Sequence, residues 1–375
     1  MFLKRFFIIF VYVFVINLAF SQSQKIDSLS INISDDSLQN DIQKIFIDSI
    51  NALNFENDRL NKSKQNYNLG LKYFEENNLD KSLEYFDISI FYDSTFAKAY
   101  FFRAKCLENL NDSLALISYF KAFKLDSLDI APLYRIAKIY EKESFEEAIN
   151  TYNLIINLRN KEHKAFYKLA SLYYVNDSIN LAIEYYSKSI SIKKKARAFN
   201  DRAGCYRLIG KNNLAFNDYK LAISIDPNIA FIYNNLASLY RKIGDYENAL
   251  ENYSIALKKD KNYFLAYNNR GSLNIELGNY SGALKDINKC ISINSSYAPA
   301  YHNKGIIFYY QKNFLEAILL FDKAILLNPN YGKAFLNRGI VKQIIRDELG
   351  ACEDWMKSRE LGINISNTYL VYDCN

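Results

Sequence analysis

Turn-forming residues are scarce in this chain of 375 residues, with four prolines and twelve glycines. A β-sandwich or barrel, which needs a turn about every ten residues, is excluded by that shortage. Histidine is scarcer still. His163 and His302 are far apart in sequence, and there is no H-E-x-x-H, no Ser or Cys in a nucleophile setting and no Gly-rich phosphate loop. No catalytic residue, metal or cofactor is therefore expected. Long blocks of one charge are also missing, because the net charge of +6 is spread over interspersed Lys, Asp and Glu. The electrostatic footprint of a nucleic-acid binder is absent. Five cysteines, an odd number, include no C-x-x-C. What is abundant is apolar and aromatic surface. Half of the residues are hydrophobic, with 31 Tyr and 26 Phe, ample for a core packed from helices.

One long apolar run exists, from Phe6 to Phe20, preceded by Lys4 and Arg5 and followed by Ser21 beside Ala19. It matches a secretory signal peptide over residues 1–21, its core shorter than the roughly 20 residues that span a bilayer. Cleavage after Ser21 would leave a mature chain of charge +4, exported to the periplasm or beyond the cell, without a membrane span. The alternative is an uncleaved anchor. No Cys stands directly after the run, so lipid attachment is not supported. Residues 22–40 are polar, and then Leu38, Ile42, Ile45, Phe46, Ile50 and Leu53 recur at helical spacing. That helix, within a segment 22–62, caps the open end of the helical array after it or serves as a dimerisation helix.

From Ser63 the chain repeats itself. Nine repeats start at Ser63, Ala97, Ile130, His163, Ala196, Ala230, Phe264, Ala298 and Gly332, with the second to fourth one residue short of 34. Position 8 is small throughout, from Gly70 and Ala104 to Gly271, Gly305 and Gly339, and so is the neighbourhood of position 20, as in Ala249, Ala283, Ala317 and Ala351. Two helices approach closely only where neither carries a bulky side chain, so positions 8 and 20 mark the crossing of two antiparallel helices per repeat. Large rings surround the crossing, Tyr233, Tyr267 and Phe335 at position 4, Tyr119, Tyr152, Tyr186, Tyr219, Tyr253, Phe321 and Trp355 at position 24. Gly210, Gly244 and Gly278 at position 15 suit a left-handed helix end. Pro132 and Pro299 fall in a first helical turn, where the missing N–H costs nothing.

On these residues the chain resembles the tetratricopeptide repeat (TPR) proteins, whose pattern is W-x2-L-G-x2-Y, then A-x3-F, then P over 34 residues. Leu69-Gly70-x2-Tyr73, Leu236-Ala237-x2-Tyr240 and Asn279-Tyr280-x2-Ala283 carry the likeness over about 63–365, with 366–375 left as a tail. It departs in having no Trp at position 4, Pro at position 32 only in Pro227 and Pro329, and Asn274 and Lys342 where an aromatic belongs at position 11. The last two bear on the packing of repeats seven and nine. The resemblance implies an all-α solenoid, a right-handed superhelix whose first helices line a concave face that binds proteins or peptides.

Position 6 lies on that first helix and holds Asn235, Asn269, Asn303 and Asn337, with Asp201 and Asn68 in repeats five and one. A primary amide complements a peptide group. Two readings are open. The asparagines form a ladder that grips a ligand backbone, as in the TPR superhelix of some glycosyltransferases, or they bond to a neighbouring helix. Anchors for a peptide would come from positions 2, 5, 9, 12 and 13, namely Tyr134, Tyr167, Tyr174, Tyr309 and Tyr310 together with Lys98, Lys105, Lys138, Arg197, Arg207, Arg241 and Lys242. The family's carboxylate clamp is missing, because Asn268 and Ser272 stand where its Lys and Asn belong and Asn337 replaces its Arg. Cys106 and Cys205, three repeats apart, read as buried fillers, and Cys352 with Cys374 is the one pairing left open. The expected protein is a non-enzymatic scaffold or adaptor of the envelope, monomeric, with a partner of protein or peptide. The alternative is a structural protein that self-associates through its N-terminal helix or convex face.

Overall fold

The computed structural model describes residues 36–374, so the expected signal peptide and residues 22–35 of the linker lie outside the described residues. Nineteen helices and no strand are found among the described residues. They divide into two compact parts at Asn157 and Leu158. The first part contains α1 (Asp36–Glu75), α2 (Leu79–Tyr92), α3 (Ala97–Asn109), α4 (Leu114–Leu125), α5 (Ala131–Glu143) and α6 (Phe145–Leu158), the last ending at the division. The second opens with α7 (His163–Val175), α8 (Ile179–Ile192), α9 (Ala196–Leu208), α10 (Asn212–Ile225), α11 (Ala230–Lys242) and α12 (Tyr246–Lys259). It continues with α13 (Phe264–Glu276), α14 (Tyr280–Ile293), α15 (Ala298–Tyr310), α16 (Phe314–Leu327), α17 (Gly332–Ile344), α18 (Glu348–Glu360) and α19 (Ser366–Asp373).

Within each repeat the two helices pack as a hairpin, and the sequence shows why. Asn78, Asp245, Asn279, Asn313 and Asp347 cap the second helices, each side chain accepting from a backbone N–H in the first turn. Gly210, Gly244 and Gly278 take φ of +74°, +84° and +73° at the end of the first helices. In other repeats Asn77, Asn111, Asp177, Lys312 and Arg346 adopt the same left-handed turn without a glycine. Repeat three has no such residue, because Ser144 alone, in extended backbone, joins α5 to α6. That tight joint accounts for its 33 residues. Repeat four is short elsewhere, with only 193–195 between α8 and α9 where 226–229 connects α10 to α11.

The crossing at positions 8 and 20 is as close as the small residues require. A Cβ on Gly305 would stand 2.7 Å from the Phe321 ring, and one on Gly271 2.8 Å from Ile287 Cδ1. The rings at position 24 fill the core, with Tyr119, Tyr152, Tyr219, Tyr253, Phe321 and Trp355 fully buried. The two irregular residues at position 11 are satisfied. Asn274 accepts from Asn279 Nδ2 at 3.2 Å, and Lys342 Nζ reaches Asp354 at 3.0 Å.

The ends hold two differences from the sequence reading. First, α1 is unbroken, so the boundary drawn at 62/63 lies inside a helix. Ser63 bonds to Ser89 and Lys62 sits over the Tyr92 ring at the end of α2, which leaves the preceding residues of α1 running past the end of α2. Second, part of the segment taken as a tail is helical. Helix α19 packs on α18, stacks Tyr369 on Trp355 at 4.8 Å between centroids, and is followed by Cys374 in a disulfide with Cys352. Cys106, Cys205 and Cys290 are free and buried. No helix among the described residues is long and apolar enough to cross a membrane.

Candidate functional site

Consecutive first helices of the second part touch one another directly, α9 with α11, α11 with α13, α13 with α15 and α15 with α17. They make one continuous face, where the asparagines of position 6 stand. Their amides are engaged with each other. Asn235 Nδ2 donates to Asn200 Oδ1 at 3.0 Å, Asn269 Nδ2 to Asn234 Oδ1 at 3.0 Å and Asn303 Nδ2 to Asn268 Oδ1 at 2.9 Å. At the last step Asn337 Nδ2 meets His302 Nε2 at 2.8 Å. At the first, Tyr167 OH donates to Asp201 Oδ2 at 2.5 Å. Position 6 of one repeat thus grips position 5 of the repeat before it, five times in succession. Neighbours along the helix link the steps, as Asn200 Nδ2 does to Asp201 Oδ1 at 2.9 Å.

The Asn-Asn pairs thus form a zipper between successive first helices. Each of the four position-6 amides uses a hydrogen on the neighbouring repeat. The physical reason is burial. Asn200, Asn234, Asn268 and His302 are 5–6% exposed, and a buried acceptor left unpaired costs about 1–3 kcal/mol. Burial also sets the protonation of the zipper's ends. It holds the His302 imidazole neutral with a pKa lowered to about 4, the Lys333 charge acting in the same sense. It pushes the Asp201 carboxyl up from its ordinary range.

The other expected anchors fall into different settings. Tyr134 lies in the first part, edge-on to Tyr152. Tyr167 spends its hydroxyl on Asp201 and its ring on Tyr186. It also borders a depression of about 520 Å³ with His163, Lys164, Lys195, Arg197 and Asp226. Arg241 is clamped by Glu276 and by Ser272 Oγ at 3.0 Å, and Lys242 Nζ caps the Arg207 carbonyl at 2.9 Å. Tyr309 and Asn337 are brought together in a hollow of about 260 Å³ with Ile306, Tyr310, Phe321 and Ile340. Arg207 is half-buried and in no ion pair among the described residues.

Sequence reasoning missed a second recurrent pairing. Arg202, Arg270 and Arg338, at position 7 of repeats five, seven and nine, fork onto Asp218, Asp286 and Asp354 sixteen residues later at 2.5–2.9 Å. Each guanidinium also reaches the preceding repeat, at Ser187, Ser254 and Asp322. The constant spacing of 16 was the available signal. These bidentate pairs stiffen the stack and take three cations out of the pool available to a ligand.

Family models described as tetratricopeptide repeat match residues 163–195, 196–229, 219–251, 265–297 and 298–331, and one described as TPR repeat matches 237–275. No curated protein matches the sequence. Among solved structures the chain is similar to a tetratricopeptide repeat protein from Parabacteroides merdae, at 17% identity and a TM-score of 0.55 over 65% of this chain and 98% of that one. It is also similar to the APC/C hetero-tetramer Cut9-Hcn1, at 13% identity and a TM-score of 0.57 over 84% of this chain and 76% of that one. Both likenesses concern the fold.

Proposed function

Because the chain is a tetratricopeptide repeat protein, an all-α solenoid scaffold for protein interaction, we propose that it is a non-enzymatic adaptor that holds an extended protein segment on the face of its first helices. The observation that carries this reading is the hollow of repeats eight and nine. Tyr309 and Tyr310, the latter 53% exposed, stand there beside Ile306, Ile340 and the remaining hydrogen-bonding capacity of Asn337. Rigid rings beside an amide are the groups that anchor peptides. The zipper supports the reading indirectly, because a face whose helices are fixed in register offers a ligand side-chain pockets at a regular spacing. The Asn-Asn pairs contribute that register, and affinity comes from the rings and cations around them.

Export is part of the proposal. It rests on the apolar run Phe6–Phe20 with Lys4 and Arg5 before it, and the disulfide between Cys352 and Cys374 supports it, since such bonds persist in oxidising compartments. A second reading, self-association through α1, is favoured by the stretch that runs past α2 and bears Ile47 and the 72% exposed Phe55. The mass of the purified protein in solution separates the two, a monomer supporting the adaptor.

The experiment is photo-crosslinking in cells from a reactive residue at Tyr309, with Leu315 on the outward side of α16 as control. Capture of one protein from Tyr309 and not from Leu315 is expected. Equal capture from both positions would refute binding on the first-helix face.

A further inference from the structure

We propose that repeat five carries a carboxylate-binding notch, formed by Gly204, Arg207 and Tyr219, which anchors an acidic side chain or the C-terminus of the bound segment. The notch deepens the adaptor reading and rests on it.

A tyrosine occupies position 24 in repeats two to six, and Tyr119, Tyr152, Tyr186, Tyr219 and Tyr253 are all at most 3% exposed. A buried phenol O–H needs a partner, and four of the five have one. Tyr119 donates to Glu108 at 2.7 Å and Tyr152 to Glu141 at 2.6 Å, both from position 12 of the facing helix. Tyr186 and Tyr253 each share a hydrogen bond of 3.1 Å with a serine at position 9, Ser171 and Ser238. Repeat five offers neither device. Its position 9 is Gly204 and its position 12 is Arg207, which cannot accept a hydrogen bond. The Tyr219 hydroxyl is buried and has no partner among the described residues.

Two further facts turn this irregularity into a site. A Cβ built on Gly204 meets no atom of the described residues within 4 Å, so the place where the sister repeats hold a serine hydroxyl, within hydrogen-bond reach of the tyrosine, is open here. Arg207 Nε is a second buried donor with no partner among the described residues. Its counterpart one repeat on, Arg241, is neutralised by Glu276. The carboxylate of Asp201 in the same repeat is already held by Tyr167 and Asn200. Two unmatched donors, one of them cationic, beside an open space on the first-helix face lack one thing, an anionic oxygen acceptor. A carboxylate supplies it, with one oxygen in the serine's place and the other on the guanidinium.

The test titrates the full chain by fluorescence anisotropy with three rhodamine-labelled probes: hexaglutamate amide, hexaalanine with a free C-terminus, and hexaalanine amide as reference. One of the first two should bind about tenfold or more tighter than the reference. Hexaglutamate preference assigns a side chain, free hexaalanine a C-terminus. Gly204→Ser, which gives Tyr219 the partner its sisters have and fills the notch, should weaken that probe about tenfold while holding or raising the melting temperature. Arg207→Gln should weaken it to a similar extent. No preference over the reference, or affinity unchanged in Arg207→Gln, overturns the notch, and the glutamine variant decides alone if Gly204→Ser unfolds. Should the notch fail while Tyr309 still captures a partner, the adaptor reading stands without it. Should the probe bind as expected while Tyr309 and Leu315 capture alike, the notch stands and the adaptor reading falls.

Discussion

Asn303 donates an amide hydrogen to Asn268 across 2.9 Å, from the first helix of one repeat to the first helix of the repeat before it. The offset of 35 residues, one more than the repeat, recurs at Asn269 with Asn234 and Asn235 with Asn200. Such a bond nets only about 0.5–1.5 kcal/mol, yet it selects one stacking of neighbours over others that would bury the same rings.

Truncation of one member therefore acts on stability. Asn269→Ala leaves the buried Asn234 Oδ1 without its donor and should cost about 1–3 kcal/mol. Combining it with Asn234→Ala should show a coupling of about 0.5–3 kcal/mol in a double-mutant cycle by urea denaturation. Asn235, Asn269, Asn303 and Asn337 all changed to Ala should melt early. A melting temperature equal to wild type would mean that the amides serve a ligand instead.

Acid should loosen the zipper at one point. The folded pKa of His302, about 4, lies below the ordinary 6.5, so between those values the unfolded chain binds the extra proton and stability falls as pH falls. The shift corresponds to about 3 kcal/mol in total, present above pH 6.5 and lost as pH approaches 4. His302→Asn continues the asparagine pattern, keeps a partner for Asn337 and removes this dependence. Melts from pH 7.5 to 5 on both proteins check it. Parallel curves would rule out His302 as the titrating group.

Overpacking tests the crossing. Gly271→Leu drives a side chain into Ile287 and the Ala283 carbonyl, and should cost about 1–3 kcal/mol or more. Leucine at Gly204, where no atom lies within 4 Å of a Cβ, should cost far less. Equal melting of the two variants would show the register of positions 8 and 20 to be wrong.

The fold was legible because each repeat encodes its own hairpin. Gly271 needs only Ala283 and Ile287 of the same repeat to be understood. The zipper was legible as a period but not as a contact, because whether Asn269 faces a ligand or Asn234 depends on how two successive helices approach. No single repeat specifies that. The same limit hid the notch. Gly204 looks like any helical glycine until Ser171 and Ser238 are seen to serve Tyr186 and Tyr253. At the ends, α1 ran through the expected boundary because a helical pattern on one side of residue 62 meets a helical pattern on the other. Helix α19 is fixed by a bond between Cys352 and Cys374, a pairing that the spacing alone left open.

The zipper has a polarity, and polarity gives an array a last member. Every repeat from four to eight presents Tyr167, Asn200, Asn234, Asn268 or His302 to its successor, but position 5 of repeat nine is Leu336. A leucine has neither donor nor acceptor in its side chain, so a tenth repeat carrying the same asparagine at position 6 would dock with that group stranded. Leu336 thus closes the run of position-5 to position-6 bonds that opens at Tyr167. To lengthen the stack, one would start by exchanging Leu336 for asparagine and detaching α19 from α18.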